Sequence, residues 1–187
     1  MRRTILAIVV LGSGIAMFMI ALRAQSGALP PRYQYGRRVS PHESTSATID
    51  GARLTIVYGR PSMRGRVIFG SLVPYGRVWC PGADEATTLE STRELQIEHV
   101  RIPVGPHTIW VLPTDDGWTL IISRESSGFH TRYNPRADLG RAAWSKRPLA
   151  TPIEQLTFTL APRPSGGGDI AMSWEKTEVS VPFSVIQ

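Results

Sequence analysis

Past residue 25 the chain never sustains an apolar pattern of period 3.6; short alternating runs, punctuated by Gly, Pro, Asn and Asp, recur about every ten residues instead. A helix buries a stripe of period 3.6 and a half-buried strand a face of period 2, so this pattern restricts the chain to an all-β fold. The firmest signal is Asp50-Gly51, set between residues 46–49 and 53–57, because Asp-Gly supplies the positive φ angles of a two-residue hairpin turn. Further strands are expected at residues 77–79 and 86–89, around Pro81-Gly82, at Leu95 and Ile97, and at 108–112 after the turn Val104-Gly105-Pro106. Thr114-Asp115-Asp116-Gly117 then turns the chain into a strand carrying Trp118, Leu120 and Ile122 on one face. Residues 126–139 read as irregular, with room for one short helical turn. Strands return at 142–146, 153–160, 170–174 and 179–185, and Pro182 places the last of these at a sheet edge. Trp110, Trp118 and Trp174 alternate with polar neighbours and are expected in the core. The sum is an antiparallel β-sandwich or barrel-like single domain.

That domain is expected over residues 40–187, preceded by a Pro-containing linker at 25–39 and a signal anchor or signal peptide at 1–24. Arg2 and Arg3 precede an apolar run from residue 5 to 22, long for a cleaved leader and about the minimum for a bilayer-spanning helix. By the positive-inside rule the two arginines stay in the cytoplasm, so the domain lies outside it, on the inner membrane if the anchor persists and secreted or periplasmic if it is cleaved. Removing Arg2, Arg3 and Arg23 lowers the formal charge from +6 to +3, and the remaining basic residues form no run or stripe. Nucleic acid is therefore not expected as a partner. Cys80 is the only cysteine, so no intrachain disulfide supports the fold.

Residues 58–88 make up the segment of unusual chemistry. Four arginines (Arg60, Arg64, Arg66, Arg77), Tyr58, Tyr75, Trp79, Asp84 and Glu85 stand there among repeated glycines and prolines. Guanidinium forks hold carboxylate, sulfate or phosphate, and aromatic faces stack on sugars. The candidate ligand-binding residues are Tyr58, Arg60, Arg66, Tyr75, Arg77, Trp79, Asp84 and Glu85. The competing expectation is that these arginines pair with Asp84, Glu85 or loop carbonyls and merely staple the loop.

Other chemistries find less support. His42, Glu43 and His107, with His99, offer ligands suited to zinc or iron, but at no ligand spacing, so no metal or other cofactor is expected. There is no G-x-S-x-G or S-x-x-K motif, and Cys80 reads as a small apolar thiol. Asp115 and Asp116 are better explained by turn chemistry than as a catalytic carboxylate pair.

Several stretches resemble one known family: S-P-H-E-S-T-S-A-T-I-D-G, Y-G-R-P-S-M-R-G-R-V-I-F-G-S-L-V-P-Y-G-R-V-W, G-A-D-E-A-T, I-P-V-G-P-H-T-I-W, W-T-L-I-I and W-E-K-T-E-V-S-V-P-F-S-V. Over about residues 40–185 the chain is similar to the bacterial family catalogued as domain of unknown function 2911. The resemblance implies an exported or membrane-associated bacterial protein and no particular activity. It departs from the family pattern at Cys80-Pro81 and at His107, so neither site inherits a family-wide role. The expected function is a cell-envelope binding or structural module, holding a small anion, a sugar or an envelope component with its Arg-rich loop. The alternative is an envelope hydrolase using Arg60, Arg77 and Glu85, with His42 as base.

Overall fold

The computed structural model describes residues 40–187. The expected anchor or signal at 1–24 and the linker at 25–39 lie outside the described residues. Among those described, no helix is long and apolar enough to cross a membrane.

Among the described residues nine strands follow one another: β1 (His42–Ile49), β2 (Ala52–Gly59), β3 (Thr88–Ser91), β4 (Leu95–Ile97), β5 (Val100–Ile102), β6 (Gly105–Pro113), β7 (Trp118–Ser123), β8 (Asp138–Pro162) and β9 (Gly168–Val185). They hydrogen-bond in the order β1-β2-β3-β6-β7-β8-β9-β4-β5, and every neighbouring pair is antiparallel. The all-β expectation is met among the described residues, where the only helical turn outside the sheet is the short 3-10 segment Pro135–Ala137, within the stretch expected to be irregular. Asp50 and Gly51 close the β1–β2 hairpin with φ values of 48° and 75°, opposite the pair Ile49–Ala52. Both angles are left-handed, as a two-residue turn matched to strand twist requires.

Apolar residues from all nine strands meet in one cluster, from Ile49 and Leu54 through Leu120 and Trp144 to Met172 and Phe183. Trp118, Trp144 and Trp174 are buried in it, whereas Trp110 packs in a smaller group with Cys80, Ala86 and Ile121. The period-2 alternation accounts for this division, since Trp110 and Val111 on adjacent positions of β6 must point to opposite faces. Each large apolar side chain removed from water in this way contributes about 1.5–3 kcal/mol before conformational entropy is subtracted.

Four expectations need correction. The runs at 142–146 and 153–160 are not separate strands but parts of β8, and those at 170–174 and 179–185 are parts of β9. Their pairing continues across register shifts between Pro148 and Ile153 and between Ile153 and Thr157, so the proline-bearing surplus is absorbed as bulges rather than ending the strand. Pro182 does not mark an edge strand, because β9 lies between β8 and β4. It falls between Ser180, paired with β8, and Ser184, paired with β4, where its missing N–H costs no ladder bond. The stretch 77–79 contributes only an isolated bridge between Trp79 and Val111, and the strand expected at 86–89 begins at Thr88. Asp84, at φ 66°, turns the chain before β3 can start. Finally, β5 escapes a pattern reading because three residues are too few to display an alternation.

Candidate functional site

Residues 60–87 cross from β2 to β3 and form neither a helix nor a regular strand, yet their backbone is tied down at intervals. Glu154 in the bulged part of β8 accepts from Met63 N through its carbonyl (2.8 Å) and from Arg64 N through Oε1 (2.9 Å). Glu175, at φ 54° in the corresponding bulge of β9, receives Ile68 N and Phe69 N on its carboxylate at 3.3 and 3.4 Å. Trp79 and Val111 exchange two backbone hydrogen bonds of 2.8 Å, and Ala86 N donates to Gly128 O at 2.9 Å. Ile68, Phe69 and Val73 complete the anchoring by entering the main core. At the far end a Cβ on Gly59 would lie 2.1 Å from Ala83 O, so only glycine lets the crossover return so close to β2.

Not all the arginines of this segment do the same work. Arg60 is a staple: Nη1 donates to both carboxylate oxygens of Glu43 at 3.0 Å, Nη2 to Thr157 Oγ1 at 3.0 Å and Nε to Leu156 O at 3.2 Å. Arg66 is exposed and donates from Nε to Met63 O and from Nη2 to Ser62 O, leaving Nη1 unbonded. Arg77 is exposed, and no hydrogen bond or ion pair engages its guanidinium among the described residues. The same holds for Arg64, which sits at φ 51° before Gly65 at φ 71°, at the tip of a turn closed by Arg66 N donating to Met63 O. A left-handed arginine costs about 1–2 kcal/mol relative to ordinary backbone.

Arg64 and Arg66 line a groove of about 420 Å³ together with Ser40, Ser62, Leu72, Trp79, Ala83 and His130, a volume within the roughly 300–1,000 Å³ of small-molecule sites. Trp79 is half-buried and stacks on the buried Trp174, ring centroids 6.1 Å apart and planes 17° from parallel, while Phe69 meets it edge-on. The indole is thereby held in one orientation. His130 is delivered from the 126–134 loop by its N–H donating to Asp84 O at 3.1 Å. Burial lowers its pKa below the ordinary 6.5, against the charges of Asp84 and Glu85, which pull the other way.

Of the residues expected to bind, the structure brings Arg66 and Trp79 to the groove. Tyr58 is instead a core residue, edge-on to Phe158 at 5.0 Å, with its hydroxyl accepting from Phe158 N; burial above all pushes its pKa up. Arg60 does not line the groove because Glu43 and β8 occupy it. Tyr75 packs against Gly70, with Lys146 Nζ 5.8 Å from its ring centroid. Asp84 has a buried carboxylate oxygen, Oδ2, without a hydrogen bond. Glu85 is buried against His42, Nε2 to Oε2 at 2.5 Å, so neither Asp84 nor Glu85 pairs with an arginine of the crossover. Arg64, Ser62, Leu72, Trp174 and His130 were not among the expected site residues. Arg64 carried a signal, a guanidinium next to glycine in a turn; His130 comes from a loop more than forty residues away and carried none.

The suggested metal ligands are dispersed. Glu43 serves Arg60, His42 serves Glu85, His99 is exposed, and His107 contacts Ser123 O and Pro103 O with its two ring nitrogens. Among the described residues no group of three His, Cys, Asp or Glu side chains is placed to hold a metal. Cys80 accepts from Thr87 N at 3.3 Å, and burial pushes its thiol up to about 12.

Fold and site define an all-β protein with a cationic, tryptophan-walled groove beneath a stitched crossover. The chain belongs to the family described as protein of unknown function (DUF2911), whose sequence profile matches residues 40–183. Neither a curated protein nor a solved structure matches it.

Proposed function

We propose that the protein is a binding module and that the groove is its ligand site, taking a small molecule that carries a carboxylate, sulfate or phosphate. One observation carries this reading: among the described residues the Arg64 guanidinium has no partner, although its backbone sits in a costly left-handed conformation where it lines the groove. The Arg64 backbone is tied to Glu154, but its guanidinium secures nothing among the described residues, as expected of a side chain kept for an external partner. Arg66 supplies a second guanidinium with Nη1 to spare, and two forks clasp an oxyanion better than one. Isothermal titration of the protein with sulfate and with acetate tests the reading. The wild type is expected to bind, and an Arg64→Gly variant to lose about tenfold in affinity while staying folded. Equal affinity of the two proteins would count against it.

The surroundings of this site belong to the same proposal. We infer that the sheet folds over into two layers around the shared core, since β1 and β5 both approach β8 although neither is its neighbour in the hydrogen-bonded order. The apolar run at residues 5–22 supports tethering to a bacterial inner membrane with the groove outside the cytoplasm, or release after cleavage. Cell fractionation with N-terminal sequencing distinguishes the two. Hydrolysis is a second reading, supported by the one titratable imidazole that lines the groove, His130, with Asp84 and Glu85 behind it. Turnover of a sugar or phosphate ester, abolished by His130→Gln with binding retained, is the outcome it requires.

A further inference from the structure

Resting on the reading of the groove as an anion site, we infer that its ligand is an acidic saccharide: a pyranose ring bearing a carboxylate, the ring against Trp79 and the carboxylate on Arg64 and Arg66. The lining of the groove combines two chemistries: apolar surface from Trp79, Trp174 and Leu72, and polar groups from Arg64, Arg66, Ser62 and His130. Trp79 and Trp174 both line the groove, but their near-parallel rings lie only 6.1 Å apart between centroids, too close to admit a ligand ring between them, so the groove offers an aromatic surface rather than a slot between two rings. A flat heteroaromatic ligand gains most from being sandwiched. A pyranose is amphipathic instead, with a C–H face that lies on an indole and a rim of hydroxyls that exchange hydrogen bonds with serine, imidazole and guanidinium groups. Leu72 is 47% exposed at this apolar surface, a large side chain left to water unless something covers it. Charge selects the acid form of such a sugar, because guanidiniums bind carboxylate strongly and a neutral sugar would leave the charges of Arg64 and of Arg66 Nη1 without a counter-charge.

Titrating the full protein with glucuronate, glucose, sulfate and benzoate separates this inference from the reading beneath it. Glucuronate is expected to bind about tenfold more tightly than each of the others. Sulfate binding as tightly as glucuronate would overturn the saccharide inference and leave the anion site standing; binding of none would overturn both. Benzoate outcompeting glucuronate would replace the pyranose by a flat aromatic acid. Trp79→Ala is expected to bring glucuronate down to the affinity of sulfate without changing sulfate itself. Should that variant unfold, Leu72→Ser on the same apolar surface is expected to weaken glucuronate selectively, and an unchanged ratio of the two affinities would contradict the inference.

Discussion

At the scale of single residues the protein separates arginines that hold the fold from arginines left to bind. Arg60 spends its donors on Glu43, Thr157 and Leu156 O, so Arg60→Ala should cost about 1–2 kcal/mol in denaturant unfolding, discounted for partial exposure, and leave ligand affinity unchanged. Arg64→Gly should do the reverse: unfolding free energy unchanged or raised by up to about 1 kcal/mol as the left-handed strain is relieved, with binding weakened about tenfold. His130 adds a pH dependence whose sign follows from its burial. Its folded pKa lies below the 6.5 of the unfolded chain, so as pH falls through 6.5 the unfolded state takes up the proton first and stability decreases until the folded imidazole also titrates. Protonation of the folded imidazole adds positive charge to the groove that Arg64 and Arg66 line, so anion affinity should rise at the lower pH where the stability loss levels off. His130→Gln should flatten both profiles, and wild-type and His130→Gln profiles that coincide below pH 6.5 would contradict this assignment. The Cys80 thiol, pushed to about 12, should resist alkylation at pH 8 in the folded protein and react only after unfolding.

At the scale of elements, the account turns on how an irregular crossover is made rigid. Its anchors, Glu154 and Glu175, lie in the bulges of β8 and β9 about a hundred residues along the chain from the backbone groups they receive. No local pattern encodes such a partnership, which is why the loop was legible in sequence as ordered and arginine-bearing while its supports were not. The hairpin at Asp50-Gly51 was legible for the opposite reason, since its determinants are two adjacent residues. The break expected between residues 146 and 153 failed for a third reason: Pro148 and Pro152 disfavour strand locally, but the long β8–β9 pairing outweighs them, with Pro148 kept opposite Thr177 and Pro152 taken up in the register shift that follows. Gly59 is the most sensitive position of the crossover. Gly59→Ala would force a Cβ to 2.1 Å from Ala83 O, and the backbone shift that relieves it should destabilise the protein by about 1–3 kcal/mol and weaken binding by displacing Gly82 and Ala83 from the groove. A normal melting temperature for this variant would contradict the close approach.

At the scale of the whole molecule, Arg2, Arg3, Arg23, Arg32, Arg37 and Arg38 account for the entire formal charge of +6, so residues 40–187 are neutral overall. Basicity read from the full chain was thus a property of its first segment, and the positive groove stands out against a balanced surface rather than a basic one. Binding driven by such a local pair of charges should weaken only modestly between 0.05 and 0.2 M salt, where contacts spread over a long basic face would lose far more. The fold class was legible because the period-2 alternation pervades the chain, and the order of the nine strands was not, because β4 and β5 pass to the far side of β9 through contacts that leave no periodic trace. The central claim is that the groove beside Arg64 and Trp79 is where a ligand binds. The most direct measurement is an amide NMR titration of the protein with glucuronate, residue by residue. The account predicts saturable shifts concentrated at Ser62, Arg64, Arg66, Trp79, Ala83 and His130, saturating at about tenfold higher glucuronate in Arg64→Gly; shifts centred elsewhere, or saturating unchanged in that variant, would contradict it.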